Sequence, residues 1–238
     1  MFDHKLQDEK GTEEQHRAIE LESNFPFLKN KEQAWNEMIN LLKINNNYVR
    51  SQAENAICSC YSYIPIEYKK QAWDDLIGLM QDNPYESYTE IIFSCYPHIP
   101  VKYKKQAWDD LIRLMREYPN YVRNGIALGF CYSRIPEECR KQAWSDLHGL
   151  MQDNNYDVRI VAVKILGECY SQIPKECNKQ AWDDLIRLTQ DHYFEVRSGA
   201  ADALVACYYH ITKVYKNRQS MTFKGSLMTI SQVCEVVL

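Results

Sequence analysis

The decapeptide KQAWDDLIRL occurs twice in this chain without a change, at residues 105–114 and again at 179–188. Two close copies accompany it, KQAWDDLIGL at 70–79 and KQAWSDLHGL at 141–150, and a looser copy, KEQAWNEMINLL, lies at 31–42. The five tryptophans of these copies are 38, 35, 36 and 38 residues apart. A period of this length accommodates two helices and two turns, so the sequence predicts a helical repeat protein.

The fourth repeat shows how each copy is organised. It opens with Ile135 and Pro136, and proline suits the first position of a helix because its missing N–H is not needed there. A first amphipathic helix carries Trp144 and ends at a turn cluster rich in Asp and Asn, residues 152–156. A second helix follows, in which apolar or small residues recur 4, 7, 8 and 11 positions after Val158 and form one stripe. Each repeat is therefore predicted to be a helical hairpin that buries its apolar sides against its neighbours.

The repeat region is predicted to span residues 24–211. Its five hairpins are expected at about 26–63, 64–98, 99–134, 135–172 and 173–211. In the second hairpin Pro84 stands where the stripe should begin. We therefore expect the second helices of hairpins two and three to start late, near Glu86 and Val122.

The two ends of the chain lack the repeat. Residues 1–23 are largely polar and are predicted to be an arm or an irregular cap, in which Ala18, Ile19 and Leu21 could supply a short helix. After Ile211 the expected Ile-Pro becomes Ile-Thr, and residues 212–238 are predicted to be a non-repeat tail. This tail either caps the last hairpin or is a disordered extension.

Composition and charge disfavour several classes of function. The chain is 45% hydrophobic and 25% charged, which is ordinary for a soluble helical protein. No apolar run approaches the roughly 18 residues of a membrane span, and the charged N-terminus lacks the apolar core of a signal peptide. A formal net charge of −4 gives no electrostatic reason to expect nucleic acid or an anionic membrane as a partner.

Five of the nine cysteines share one repeat position, directly before a tyrosine. They are Cys60, Cys95, Cys131, Cys169 and Cys207. The odd count argues against a disulfide framework, and the absence of a Cys-x-x-Cys pair argues against zinc. We expect buried thiols in a reducing cytoplasm, without a metal or a cofactor.

The turn and second helix follow the pattern D-x-x-Y-x-VR-x-x-A, which resembles the HEAT repeats, and among them the short HEAT-like repeats of the phycobilisome-lyase type. The residues that carry the resemblance are Asp153, Val158, Arg159, Ala162 and Leu166 in the fourth repeat, and Asp191, Val196, Arg197, Ala200, Ala203 and Leu204 in the fifth. The resemblance implies an all-α fold, a right-handed α-solenoid of about five HEAT-like hairpins. Arrays of this kind serve many functions, so the resemblance does not name one.

The resemblance also implies a ladder of acidic and arginine side chains, the acid in the turn and the arginine six residues later. Three pairs keep this spacing: Glu117 with Arg123, Asp153 with Arg159, and Asp191 with Arg197. The first repeat has Ile44 before its arginine and the second has Tyr88 in place of the arginine, so the ladder should be incomplete there. We expect it to be a structural clamp on turn backbone and neighbouring side chains.

No catalytic constellation stands out from the repeat. Trp and Asp line the concave surface of DNA-alkylation-repeat glycosylases, but here Trp-Asp-Asp recurs in register with buried Ala and Leu. We interpret the Trp as a stacking residue and the acidic pair as a solvated helix face. The six histidines share no repeat position and no spacing suited to a metal. An enzyme of the glycosylase or lyase type, and a structural or regulatory subunit of a larger assembly, remain the alternatives.

The interaction surface is predicted on the concave side, which the second helices line in HEAT-like stacks. Side chains opposite the buried stripe should form an apolar strip through repeats two to five. The candidates for protein binding are Phe93, Ile126, Ile160, Val163, Lys164 and Val205. The alternative is that these positions merely let second helices pack closely. The sequence thus predicts a non-enzymatic cytoplasmic scaffold that binds a protein or peptide, with no nucleic acid and no membrane as partner and with its oligomeric state open.

Overall fold

The structure is a computed structural model that describes residues 2–83, 88–118 and 124–216. Helices and short 3-10 turns account for all the regular structure of these residues, which contain no strand. The helices in chain order are α1 (Phe2–Asn24), α2 (Lys31–Leu42), α3 (Asn47–Cys60), α4 (Lys69–Asp82), α5 (Thr89–Cys95), α6 (Val101–Glu117), α7 (Asn124–Tyr132), α8 (Glu137–Leu150), α9 (Tyr156–Cys169), α10 (Asn178–Leu188) and α11 (Phe194–Lys216). Five hairpins, from α2/α3 to α10/α11, confirm the all-α repeat fold predicted from the sequence.

The second helices bury the predicted stripe. In α9 the five stripe residues are all buried: Val158, Ala162, Ile165, Leu166 and Cys169. The equivalent residues of α3 and α11 are buried as well: Val49, Ala53, Ala56, Ile57 and Cys60, and Val196, Ala200, Ala203, Leu204 and Cys207. Small side chains in this stripe let neighbouring helices approach closely, and the burial of its apolar area stabilises the hairpins.

The chain divides into two compact units, Met1–Ala107 and Trp108–Leu238. In unit 1 the second helix α3 packs between α1 and α5, while the first helices α2 and α4 are in contact. In unit 2 the second helix α9 packs between α7 and α11 and against α8 of its own hairpin. A second helix in the middle of a unit therefore has neighbours on at least two sides.

The N-terminal segment differs from its prediction as an arm or irregular cap. It forms the regular helix α1, which buries Ala18 and Leu21 and packs on α3. A 3-10 turn with a buried aromatic residue, Phe25, follows α1, in the same way that turns with buried tyrosines follow α3 and α5. Packing of Ala18 and Leu21 against α3 stabilises α1 as a regular helix. Helix α1 thereby covers the apolar side of α3, as a second helix would.

Helices α5 and α11 differ in length from the second helices α3 and α9. Helix α5 has 7 residues, whereas α3 and α9 have 14 each, which confirms the shortening predicted for the second hairpin. The predicted starts at Glu86 and Val122 lie outside the described residues. Helix α11 continues past the predicted repeat end to Lys216, because Thr212 replaces the proline that stops the other second helices.

No helix within the described ranges is long and apolar enough to cross a membrane.

Candidate interaction surfaces

The recurring tryptophans link the first helices of neighbouring hairpins. The indole Nε1 of Trp35 donates to Asp75 Oδ2 at 3.1 Å, and that of Trp108 donates to Asp146 Oδ2 at 3.0 Å. In each case the acceptor is the acidic residue two positions after the next hairpin's tryptophan. Both tryptophans are buried, so the carboxylate satisfies an indole N–H that would otherwise lose its hydrogen bond to water. The interpretation of both acidic residues as a solvated face is therefore wrong for the second of them.

A glutamine on the same helix orients each accepting carboxylate. Gln71 Nε2 donates to Asp75 Oδ1 at 2.9 Å, and Gln142 Nε2 donates to Asp146 Oδ1 at 3.0 Å. The glutamine lies four residues before its aspartate, where the two side chains meet on a helix surface. The motif Gln-Ala-Trp-x-Asp thus connects hairpins at two places, Trp35 with Asp75 and Trp108 with Asp146, whereas the indole N–H of Trp73 is buried without a hydrogen-bond partner among the described residues.

The contact between the fourth and fifth hairpins is a variant of this link. Trp144 donates to Gln180 Oε1 at 3.3 Å, while His148 Nδ1 lies 2.6 Å from Asp184 Oδ2. His148 Nε2 lies 2.8 Å from the amide of Gln152 and 3.1 Å from that of Gln180. An imidazole with its proton on Nδ1 satisfies all three contacts, because Nδ1–H donates to the Asp184 carboxylate and the two amides donate to Nε2. The histidine and aspartate are engaged in packing and offer no free base.

The tyrosine after each repeat cysteine anchors the connection to the next hairpin. Tyr61, Tyr96 and Tyr132 are buried, and each stacks edge-on against the tryptophan of its own hairpin at 5.6 to 6.0 Å between ring centroids. Every hydroxyl donates to a backbone carbonyl eight residues further on, for example Tyr61 to Lys69 at 3.0 Å. The Cys-Tyr pair therefore fixes the path from a second helix into the following first helix.

The acidic and arginine side chains of unit 2 clamp its turns. Arg159 donates from Nε and Nη2 to the two carboxylate oxygens of Asp191, at 2.8 and 3.0 Å, and from Nη1 to the backbone carbonyls of Asp153 and Asn154. Arg197 makes the same backbone contacts to Asp191 and His192. Burial alone would raise the pKa of the Asp191 carboxyl, but the hydrogen bonds from Arg159 and the Tyr193 N–H lower it overall. Arg159 thus joins its own turn to that of the next hairpin.

The remaining predicted ladder pair, Glu117 with Arg123, cannot be placed, since residue 123 lies outside the described ranges.

The apolar strip predicted on the second helices is partly wrong. Val163 and Ile160 are buried, and Val163 lies against the position of Gly199 in α11. They are inaccessible because α9 has α7 and α11 on either side, so side chains away from its main stripe are covered as well. Lys164 and Val205 are exposed and Phe93 is half-buried. The side chain of Ile126 lies outside the described part.

The accessible side of the second helices in unit 1 is acidic rather than apolar. Burial first, and then the nearby carboxylates Glu54, Glu90 and Glu22, raise the pKa of the Cys58 thiol. Glu22 also accepts a hydrogen bond from Ser59 at 2.7 Å. These three acids lie on α1, α3 and α5, so one carboxylate from each second-helix position of unit 1 is close to Cys58.

The thiols and histidines of the described residues form no group of three or more ligands suited to a metal ion. Eight cysteines are free thiols in the described part, and burial raises the pKa of Cys60 and Cys207 to about 12 each. Such thiols are protonated at neutral pH and are poor nucleophiles.

No family model and no curated protein sequence matches the chain. Among solved structures it is similar to an engineered protein at 18% identity, with a TM-score of 0.42 over 82% of this chain and 90% of the other. It is similar to a designed armadillo repeat protein at 17% identity, with a TM-score of 0.39 over 81% and 92%. It is also similar to an archaeal HEAT-like repeats protein from Thermococcus onnurineus NA1 at 10% identity, with a TM-score of 0.42 over 92% and 95%. All three are repeat or engineered proteins. The fold of this chain is established by its own five helical hairpins.

Proposed function

We propose that this protein is a non-enzymatic scaffold that binds a protein segment along the accessible side of its second helices. The observation that carries the proposal is their arrangement: α1, α3 and α5 pack side by side in unit 1, and α7, α9 and α11 do so in unit 2. Packed helices are roughly 8–10 Å apart, so each unit presents side chains in regular steps along one face. Such a face suits an extended or helical protein segment.

The side chains that would serve an enzyme are engaged in holding the repeats together. Trp35 and Trp108 donate to carboxylates of the next hairpin, and Arg159 binds Asp191. The Trp and Asp residues of the glycosylase alternative therefore have a structural use in this chain, which favours the scaffold. We place the scaffold in the cytoplasm, because the recurring cysteines of the described residues are buried as thiols rather than joined in disulfides.

Three accessible side chains test the second-helix face. Phe93→Glu in unit 1, and Lys164→Glu with Val205→Glu in unit 2, change its chemistry without filling the core. Phe194→Glu is the matched control, because Phe194 is exposed at a hairpin turn. We expect the wild type and the control to capture the same proteins from native cells, identified by mass spectrometry, and the face variants to lose them.

Two outcomes would contradict the proposal. Face variants that fold and capture the same proteins would show that the second-helix face is not the binding surface. Excision of an alkylated base above background, or binding of duplex DNA in about 150 mM salt tighter than roughly 10⁻⁵ M, would favour a nucleic-acid enzyme instead.

A further inference from the structure

The connections between hairpins in unit 1 carry exposed apolar side chains at equivalent places. Phe27 and Tyr63 each end a 3-10 turn, and their exposed fractions are 85% and 53%. Ile66 and Val101 each follow the proline that opens a hairpin, and their exposed fractions are 66% and 64%. These four residues lie at the starts of α2, α4 and α6, and we call them the connection edge.

The same connections are basic. Residues 25–32, 61–70 and 96–105 contain seven lysines and two acidic residues, Glu32 and Glu67. The positive ends of the α2, α4 and α6 dipoles also point to this edge, which favours an anionic partner. Part of the lysine charge is offset, because Lys70 pairs with Asp74 at 2.6 Å one turn into α4. Lys104 is buried and Lys31 donates to the Pro26 and Leu28 carbonyls, so the other exposed lysines give the edge its net positive charge.

A hydrogen bond and an electrostatic effect place lysine charge at the connections themselves. Lys69 Nζ donates back to the Ser62 carbonyl at 3.4 Å, next to Tyr63. At the following connection, burial first and then Lys69 and Lys104 lower the pKa of His98. Lysines from α4 and α6 therefore both lie near His98, which is the third residue of its 3-10 turn and the equivalent of Tyr63.

The equivalent positions of unit 2 are different. The third turn residues there are Arg134 and Gln172, and the residues after the prolines are Glu137 and Lys175. Residues 132–141 and 170–179 contain five basic and three acidic side chains. The repeat architecture itself therefore does not require apolar side chains at these exposed positions. Their presence in unit 1 calls for a use at the surface.

We propose that the connection edge of unit 1 binds an acidic protein segment whose apolar side chains recur at every third residue. Charge complementarity identifies the class of partner: the exposed lysines and three helix N-termini attract carboxylates, while four apolar side chains accept apolar groups. The spacing agrees, because a polyproline II segment advances about 9 Å in three residues and brings every third side chain to the same side, close to the distance between packed helices. This surface is distinct from the second-helix face but rests on the proposed function, since both require a protein ligand.

Other occupants fit less well. Residues 212–238 of this chain contain four basic residues and one acidic residue, so the basic edge repels them. Nucleic acid offers phosphates for the lysines but no partner for the aliphatic Ile66 and Val101.

The test presents the full-length protein to a library of random 16-residue peptides displayed on phage. We expect enriched peptides to carry Asp or Glu between apolar residues spaced three apart. The affinity of such a peptide, synthesised with a fluorescent label, should fall at least tenfold in the variant Phe27→Ser, Tyr63→Ser, Ile66→Ser, Val101→Ser. It should stay within twofold in the control Tyr48→Ser, Phe194→Ser, which removes equally exposed apolar side chains at hairpin turns.

A second variant covers the possibility that four substitutions impair folding. Lys29→Glu with Lys102→Glu reverses two exposed charges and should weaken the same peptide at least fivefold at low salt, with a smaller loss at high salt. Peptides that bind all variants equally would overturn the connection edge and leave the scaffold proposal standing. Failure to enrich any peptide would overturn both. Sedimentation with phosphatidylserine vesicles that depends on the four apolar residues, without peptide binding, would overturn the edge in favour of a membrane surface.

Discussion

Each of the two units contains the same kind of contact between its own hairpins, but the units present different side chains to solvent. A buried tryptophan donates to a carboxylate of the next hairpin in unit 1, through Trp35 and Asp75, and in unit 2, through Trp108 and Asp146. The connections that join the hairpins are apolar and basic in unit 1, whereas they are polar and mixed in charge in unit 2. Positions that contact a neighbouring hairpin are therefore alike, and positions that contact only water are not.

This difference separates stability from recognition. A tryptophan and its acceptor are constrained together, because changing either one leaves a buried polar group unsatisfied. An exposed residue such as Ile66 or Lys175 carries no such constraint, so its identity has little effect on folding. The surface positions at which the units differ are thus the places to look for a partner, and the shared positions are the places to look for stability.

The largest effect is expected inside unit 2. Val163→Glu should lower the free energy of unfolding by at least about 4 kcal/mol, because it buries a carboxylate without a partner between α9 and α11. Phe93→Glu in unit 1 should cost much less, since Phe93 is only half-buried. Urea denaturation followed by circular dichroism measures both. Equally small costs would mean that Val163 is accessible and that the predicted strip exists, whereas equally large costs would place Phe93 in the core as well.

Tryptophan truncation compares the shared core of both units. Trp35→Ala and Trp144→Ala should each cost about 3–5 kcal/mol, the usual range for a buried aromatic side chain. Similar losses in the two variants would support a common stacking role. A loss below about 1 kcal/mol in either one would show that its hairpin is not held by the tryptophan.

The turn clamp distinguishes unit 2. Asp191→Asn should cost about 1–3 kcal/mol at pH 7, because Arg159 loses a charged bidentate partner. The folded state lowers the pKa of Asp191, so its contribution is present above the unfolded value near 3.9 and is lost as the pH falls through the folded value. Thermal unfolding from pH 7 to pH 2 should therefore show the difference between the variant and wild type shrinking below about pH 4. A constant difference would argue against the ion pair.

The indole acceptors test whether one connector serves both units. Asp75→Ala and Asp146→Ala should each cost about 1–3 kcal/mol, since each leaves a buried tryptophan N–H without its acceptor. Double-mutant cycles with Trp35→Phe and Trp108→Phe should recover most of the loss as a coupling energy. If one unit shows no coupling energy, its tryptophan–aspartate hydrogen bond does not contribute to stability, and only the other unit uses this link.

The smallest effect is expected at the first acidic residue of the Trp-Asp-Asp motif, which lies one position before the equivalent of Asp75 and Asp146. Asp109→Ala should change the free energy of unfolding by no more than about 0.5 kcal/mol, because Asp109 is exposed. The measurement is the same urea titration, with Asp146→Ala as the reference. A cost equal to that of the reference would place the wrong aspartate of the pair against the neighbouring hairpin.

The sequence alone determined the repeat, the hairpins and the buried stripe of the second helices. It could do so because the spacing of apolar residues such as Val158, Ala162 and Leu166 defines one side of a helix without reference to anything else. The effect of the proline that opens a hairpin is also local, because it ends the helix before it. Thr212 replaces this proline after α11, and α11 therefore continues to Lys216.

Only the tertiary structure decided how many neighbours each side of a helix has. The sequence places Val163 away from the main stripe of α9, but α7 and α11 flank that helix and cover it. In the same way, the position of the preceding hairpin decides which acidic residue of the Trp-Asp-Asp motif accepts the indole N–H. The contact with α3 likewise explains why α1 is a regular helix that covers the end of unit 1. A helical wheel gives the direction of a side chain, whereas burial and hydrogen bonding depend on the helices that pack against it.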